Sequence, residues 1–180
     1  MIGHKGFICG GCFKNLFERT DFKDVDIFFE NYVDYNDAID WFDQNEDFTE
    51  YYSNDNVTAF KHSSGVVVEL IKKEFGKPEE ILDSFDFTIV KFAYVKHEHN
   101  KSIEYEAVYH SNFFEHLYLR RLVIDDDIPF PASTLERSYK YSKYGYYPCR
   151  ETKLKIVQAL RDLPDEEDVE LSNSMYDGWD

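Results

Sequence analysis

The feature that most constrains the fold lies in residues 9–29, CGGCFKNLFERTDFKDVDIFF, where two glycines precede a helical pattern and two aspartates alternate along an apolar strand. We expect Gly10 and Gly11 to form the turn between a short buried strand and an amphipathic helix. Asp24 and Asp26 then share one face of the next strand, because side chains in an extended chain repeat every two residues. Carboxylates held side by side repel each other, so this pair requires a cation or a proton.

The rest of the chain predicts further strands and helices. Strands are predicted in VTAF, VVVELIKK and DFTIVKFAYV, and helices in DYNDAIDWFDQN, KPEEILDSF, SNFFEHLYLRRLV, PASTLERSYKYSKYG and ETKLKIVQALRDL. This order fits an α+β or an α/β domain, and we favour α+β: a mixed sheet of four or five strands flanked by helices, with a small C-terminal helical part. We therefore expect a core over residues 1–108, a helical segment over 109–163 and an acidic tail over 164–180.

The charge of the chain restricts its partners. The 180 residues include 20 Lys and Arg against 36 Asp and Glu, a formal net charge of −16. Such a charge repels polyanions, so binding to a nucleic-acid polymer is disfavoured. No apolar run reaches membrane-spanning length and the N-terminus lacks a signal-peptide pattern, which predicts a cytoplasmic protein (host cytoplasm if viral) with no membrane partner.

The three cysteines are Cys9, Cys12 and Cys149, too few for a disulfide framework. Cys9 and Cys12 form a C-x-x-C, which fits a redox pair or half of a zinc site. The other interpretation is two packing cysteines that flank the glycine turn. We favour the second, because no further pair completes a four-ligand site.

Taken in order, these signals resemble the nucleotidyltransferase superfamily, in particular the catalytic head of class II CCA-adding enzymes and bacterial poly(A) polymerases. The first motif of that family has Gly-Gly, a basic residue and D-x-D, which are here Gly10, Gly11, Lys14, Asp24 and Asp26. A later family motif contains Asp-Phe-Thr, found here at residues 86–88, and LERSYKYSKYGY resembles the family's Arg-bearing helix. Short phage-encoded nucleotidyltransferases are a related possibility.

The resemblance implies a metal-dependent transfer of a nucleoside monophosphate group from a nucleoside triphosphate to an acceptor. The implied catalytic residues and ligands of Mg²⁺ or Mn²⁺ are Asp24, Asp26 and Asp86. The glycine turn and the helix that follows would contact the phosphates, and the implied nucleotide-binding residues are Gly10, Gly11, Lys14, Arg137 and Lys140. Tyr141 or Tyr144 would stack on the base. Glu69 competes with Asp86 as third carboxylate, and the Asp-Phe-Thr likeness favours Asp86.

The acceptor remains open between a protein, a small molecule and an RNA end. The family's D-x-x-G-x-x-D and E-D-x-x-R segments are missing, and Ser84 and Phe85 replace an arginine pair. These departures keep a second hypothesis open, in which Asp24 and Asp26 are strand acids that face water. The protein is then a catalytically degenerate binding module that acts through its acidic surface on a phage or host partner protein, as a DNA mimic or a toxin–antitoxin component.

Overall fold

The computed structural model describes residues 4–99, 102–125 and 127–163 of the chain, and within them the α+β prediction is confirmed. The strands are β1 (Phe7–Cys9), β2 (Asp24–Phe29), β3 (Phe48–Ser53), β4 (Val57–His62), β5 (Val67–Phe75), β6 (Phe92–His99), β7 (Ser102–Tyr109), β8 (Arg121–Leu122) and β9 (Tyr147–Pro148). The helices are α1 (Gly11–Glu18), α2 (Tyr32–Asp43), α3 (Pro78–Asp83), α4 (Phe113–Tyr118), α5 (Pro131–Lys143) and α6 (Arg150–Arg161). The predicted acidic tail, residues 164–180, lies outside the described residues.

Contacts divide the described chain into two compact units. The first contains the described residues up to Phe85 and those from Val90 to Phe113, and the second contains Asp86–Ile89 and the described residues from Phe114 onward. The seven strands of the main sheet lie in the first unit, in the order β3-β4-β5-β2-β1-β6-β7. β2 pairs in parallel with β5 and the other neighbours pair antiparallel, so the sheet is mixed as predicted. No helix among the described residues combines the length and apolar character that a membrane span requires.

Two apolar clusters pack on opposite faces of the main sheet. Ile27 and Phe28 are consecutive residues of β2 and belong to different clusters, as the alternation of side chains along a strand requires. The cluster that includes α2 contains Ile27, Phe29, Tyr35, Ala38, Phe42, Phe60 and Leu70. The cluster that includes α3 contains Phe7, Cys9, Phe28, Ile81, Leu82, Ala93 and Val95. Asp24 and Asp26 precede Phe28 by four and two residues, so they lie on the face that α3 covers further along.

Local signals fix where the two covering helices begin. The Asn31 side chain caps α2, with its Oδ1 accepting from the backbone N–H groups of Val33 and Asp34, each at 3.0 Å. Pro78 starts α3, and the Glu80 carboxylate accepts from the Lys77 N–H at 2.8 Å. Each helix therefore starts where its own sequence provides hydrogen-bond partners for the first turn, and packing then sets the face that it presents to the sheet.

His4 is a buried polar residue that packs against aromatic side chains of the α2 cluster. Its ring centroid lies 5.7 Å from that of Trp41 and 5.5 Å from that of Phe42, and its Nδ1 accepts from the Gly6 N–H at 3.1 Å. Burial is the main cause that lowers the His4 pKa to about 4, and the charges of the N-terminus and Lys96 lower it further. The imidazole is therefore neutral in the folded protein at neutral pH.

We expect the folded state to lose about 1.5 kcal/mol of stability through His4 between pH 6.5 and pH 5. The folded pKa lies below the unfolded value of 6.5, so protonation favours the unfolded chain and the contribution falls as pH drops below 6.5. Denaturant unfolding at both pH values gives the change in the free energy of unfolding for wild type and for His4→Phe. The contribution of His4 is the difference between these two changes. His62→Gln is the control and should keep the wild-type pH difference. An equal pH difference in wild type and His4→Phe would contradict the assignment.

The second unit is built from helices and a small parallel sheet. β8 and β9 pair Arg121 with Tyr147, and the Thr152 hydroxyl donates to the Leu122 carbonyl at 2.9 Å. Tyr146 is fully buried, and the Arg120 guanidinium lies 4.9 Å from the centroid of its ring. This contact fits a cation–π interaction, so the aromatic run after α5 serves packing at this position.

Three sequence expectations about elements need correction. The sheet has seven strands rather than four or five, because β3 and β7 were not predicted. The strand predicted from Asp86 onward begins only at Phe92, after a 3₁₀ turn over Thr88–Val90. The Thr88 N–H donates to the Val123 carbonyl at 3.0 Å and its hydroxyl bonds His116 Nδ1 at 2.8 Å, so these groups bond outside the main sheet.

The third correction concerns the helix predicted in SNFFEHLYLRRLV. It ends at Tyr118, because Arg120 adopts the left-handed conformation with φ of 57°. The chain then enters β8 at Arg121. A non-glycine residue in this conformation breaks the run of helical hydrogen bonds, which the apolar spacing of the sequence does not reveal.

Candidate functional site

The register between β2 and β5 gathers three carboxylates on one face of the main sheet. Asp26 pairs with Glu69 and Asp24 with Val67 in the parallel ladder. Residues paired directly across neighbouring strands point to the same side, about 4.8 Å apart along the sheet. Glu69 therefore shares its face with Asp24 and Asp26.

Gly10 lies against the carboxylate of Asp26. Its φ of 97° and ψ of −151° fall in a region that is essentially restricted to glycine. A Cβ placed on Gly10 would lie 3.3 Å from Asp26 Oδ2 and 3.6 Å from the ring of Phe85. The Gly10 N–H donates to the Phe92 carbonyl at 3.1 Å, so this amide already has a partner, and α1 begins at the next residue, Gly11. The structure thus brings the predicted glycine turn and the predicted D-x-D strand together.

Tyr52 is a site residue that the sequence analysis did not identify. Its hydroxyl donates a short hydrogen bond to Glu69 Oε1 from strand β3. Burial, the hydrogen bond to Glu69 and the charges of Glu69, Asp24 and Asp26 all raise the pKa of Tyr52, which keeps the phenol protonated. The aromatic and β-branched residues of FTEYYS were the available signal for β3, but they give no indication of which tyrosine reaches Glu69.

The C-x-x-C cysteines lie next to the acidic residues and are free thiols. Cys9 is a core residue of β1 and pairs with Asp26 across the antiparallel ladder. Burial raises the pKa of Cys9, and it raises that of Cys12 to about 12, with the charge of Asp26 adding to both. Both thiols are therefore protonated at neutral pH. This agrees with the packing interpretation, because nucleophilic or metal-binding cysteines need a stabilised thiolate.

Lys14, the predicted nucleotide-binding lysine of the first unit, lies on α1. Its side chain is buried, and its Nζ bonds Asn15 Oδ1 and pairs with Glu18 at 3.4 Å. Both partners belong to the same helix, so this ammonium group already has neighbouring oxygen atoms as acceptors.

Asp86 lies in the second unit, on the segment between α3 and the 3₁₀ turn. Its Oδ2 accepts from the Thr134 hydroxyl at 3.0 Å and pairs with Arg137 Nε at 3.2 Å. Thr134 and Arg137 both lie on α5, as does Lys140. The structure therefore joins predicted residues Asp86 and Arg137 in an ion pair, and it places both in a different unit from Asp24 and Asp26.

The two tyrosines predicted to stack on a base also lie in the second unit. The ring of Tyr141 packs edge-on against Phe87, with 5.7 Å between centroids. Tyr144 caps the C-terminus of α5 and is exposed. Of the two, Tyr144 has the side chain that is open to solvent.

The donor set of the first unit fits a magnesium ion only in part. Among the described residues no group of three or more His, Cys, Asp and Glu side chains is arranged to hold a metal. Mg²⁺ in nucleotide sites usually takes one or two carboxylates, with phosphate oxygens and water completing the shell. Asp24 and Asp26 supply hard oxygen ligands of that kind and number.

Comparison with known proteins gives a family and a fold. A profile of the Gabija anti-defense 2 family matches residues 2–120. Gabija anti-defense 2 of Bacillus phage SPbetaL7 is 26% identical over 183 residues, covering 96% of this chain and 41% of that protein. The chain therefore spans less than half the length of this curated relative.

Solved structures with the same fold are enzymes that act on tRNA. The Thermotoga maritima CCA-adding enzyme complexed with tRNA has a TM-score of 0.62 and 13% identity over 87% of this chain and 38% of that one. A tRNA nucleotidyltransferase complexed with a primer tRNA and an incoming ATP analog has a TM-score of 0.63 and 16% identity, covering 87% of this chain and 47% of that one. A CCA-adding enzyme in complex with CTP has a TM-score of 0.64 and 14% identity, covering 87% of this chain and 39% of that one. The fold is nucleotidyltransferase-like, as the resemblance implied.

Proposed function

Because the chain belongs to the Gabija anti-defense 2 family, we propose that it counters the Gabija defence by nucleotidyl transfer. The reaction moves a nucleoside monophosphate group from a nucleoside triphosphate to an acceptor hydroxyl. One observation carries this proposal: Asp24, Asp26 and Glu69 share a sheet face on two paired parallel strands, with Gly10 packed against Asp26.

The chain's own residues have distinct roles in this reaction. Asp24 and Asp26 would hold a divalent cation, Mg²⁺ or Mn²⁺, which would supply positive charge to balance the triphosphate and the leaving pyrophosphate. Glu69 accepts the proton of the acceptor hydroxyl, since its carboxylate already accepts a hydrogen bond from a hydroxyl group. Gly10 leaves the space beside Asp26 free of a side chain.

We assign the third carboxylate to Glu69 in preference to Asp86. Glu69 is in register with Asp26, whereas Asp86 has two partners on α5. In this proposal Arg137 neutralises Asp86. Lys14 and the start of α1 keep the proposed contact with the triphosphate. The contact of Lys140 with the triphosphate stays a prediction.

Replacing Asp26 with asparagine tests the proposal directly. With Mg²⁺ and each nucleoside triphosphate labelled at the α-phosphate, we expect wild type to transfer label to itself or to host components. Asp26→Asn should transfer at most about a hundredth as much, because one carboxylate ligand of the cation is lost. Asp40→Asn, an exposed acid of α2, is the matched control and should behave as wild type. Equal transfer by Asp26→Asn and wild type would refute the assignment.

The binding module remains a second candidate, favoured by the net charge of −16. A ligand that binds the folded state must raise its stability, so the melting temperature with and without nucleotide and Mg²⁺ separates the two functions. The same comparison is made in cells, by plating phage on a host that carries the Gabija defence. The binding module would be favoured if Asp26→Asn protected the phage from the defence as well as wild type does, and if nucleotide with Mg²⁺ did not shift the melting temperature of the wild-type protein.

A further inference from the structure

One row of residues crosses four strands of the main sheet and joins a hydroxyl to two carboxylates. Tyr52 of β3 pairs with Ala59 of β4, Ala59 with Glu69 of β5, and Glu69 with Asp26 of β2. Ala59 is fully buried and its side chain is a methyl group, so the Tyr52 ring can extend over it. The Tyr52 hydroxyl thereby reaches the Glu69 carboxylate, two strands away.

A bulge in β3 selects Tyr52 for this row. The register of β3 against β4 shifts between Glu50, which pairs with Phe60, and Tyr52, which pairs with Ala59. Between these two pairs β3 has one residue more than β4, which is the geometry of a β-bulge. Without the shift Tyr51 would oppose Ala59, so the bulge decides which of the two neighbouring tyrosines lies beside Glu69.

We propose that the Tyr52 hydroxyl is a built-in acceptor, so that the protein nucleotidylylates its own Tyr52. The inference rests on the proposed function. The Tyr52 oxygen attacks the α-phosphorus of the nucleoside triphosphate, the bond from that phosphorus to the bridging oxygen breaks, and pyrophosphate leaves. The phenolic proton passes to Glu69. The products are a tyrosyl nucleoside-monophosphate diester and pyrophosphate.

The contacts of Tyr52 match what an acceptor requires. Its oxygen is already hydrogen-bonded to the group that would take its proton, which is the arrangement of an activated nucleophile and its base. Tyr52 is 37% exposed, so a nucleotide can approach it from solvent.

Three conservative variants test the assignment. Wild type is incubated with Mg²⁺ and a nucleoside triphosphate labelled at either the α- or the γ-phosphate, and its peptides are analysed by mass spectrometry. We expect α-label, but no γ-label, on the peptide that contains Tyr52. Tyr52→Phe should lose this label and Tyr51→Phe, the neighbouring exposed tyrosine, should keep it. Glu69→Gln should lower the labelling at least tenfold, since an amide accepts no proton.

The melting temperature with nucleotide and Mg²⁺ separates the possible failures. Tyr52→Phe should keep the wild-type shift, because the ring remains and only the hydroxyl is removed. A melting shift without a modified Tyr52, or equal labelling of Tyr52→Phe and wild type, overturns the built-in acceptor and leaves the proposed function standing. Neither shift nor label in wild type overturns both.

Discussion

Replacing Gly10 with valine is expected to lower the free energy of unfolding by about 3–4 kcal/mol and to abolish nucleotidyl transfer. The backbone of Gly10, with φ of 97° and ψ of −151°, is strained for any residue that carries a Cβ. The added atoms would also press on Asp26 Oδ2, at 3.3 Å from the Cβ, and on the Phe85 ring. Denaturant unfolding measures the stability, and α-labelled triphosphate measures the transfer.

Gly65→Val is the matched control, since it separates backbone strain from contact with the site. Gly65 has φ of 96°, and a Cβ on it would meet nothing within 4 Å. We expect Gly65→Val to lower the free energy of unfolding by about 1–2 kcal/mol through backbone strain alone and to leave nucleotidyl transfer unchanged. If Gly10→Val were no more destabilising than Gly65→Val, the close approach of Gly10 to Asp26 would not matter to the fold.

The parts of the site that the sequence predicted are those encoded locally. Gly10 caps α1 and Gly11 is its first residue, and the shared face of Asp24 and Asp26 follows from the two-residue repeat of a strand. Neither inference requires knowledge of which strands pair. The same holds for α2 and α3, whose caps and first-turn residues are neighbours in the sequence.

The parts that the sequence could not predict depend on long-range pairing. Glu69 reaches the site because β5 pairs in parallel with β2, and Tyr52 reaches it because of a bulge between β3 and β4. Asp86 shows the opposite case, since its local motif resembles the family while its partners Thr134 and Arg137 lie about fifty residues away. A short motif fixes a residue's type, but the tertiary contacts decide its neighbours.

Arg137→Met is expected to lower the free energy of unfolding by about 2–3 kcal/mol, through the second unit. The Asp86 side chain is 6% exposed, so losing the ion partner at 3.2 Å leaves a buried carboxylate with the Thr134 hydroxyl as its remaining described hydrogen-bond donor. The Arg137 side chain is 39% exposed, so water offsets part of the full cost of a broken buried pair. Lys143→Met, an exposed cation at the end of the same helix, is the control and should change stability by less than about 0.5 kcal/mol.

The double variant Asp86→Asn with Arg137→Met decides what Asp86 does. Asparagine is neutral and can still accept from the Thr134 hydroxyl, so most of the stability lost in Arg137→Met should return if Asp86 only balances Arg137. Nucleotidyl transfer by the double variant should then stay within about threefold of wild type, because Glu69 supplies the third carboxylate. If the double variant instead recovered stability but lost as much transfer as Asp26→Asn, Asp86 would be the catalytic carboxylate, as its Asp-Phe-Thr motif predicts.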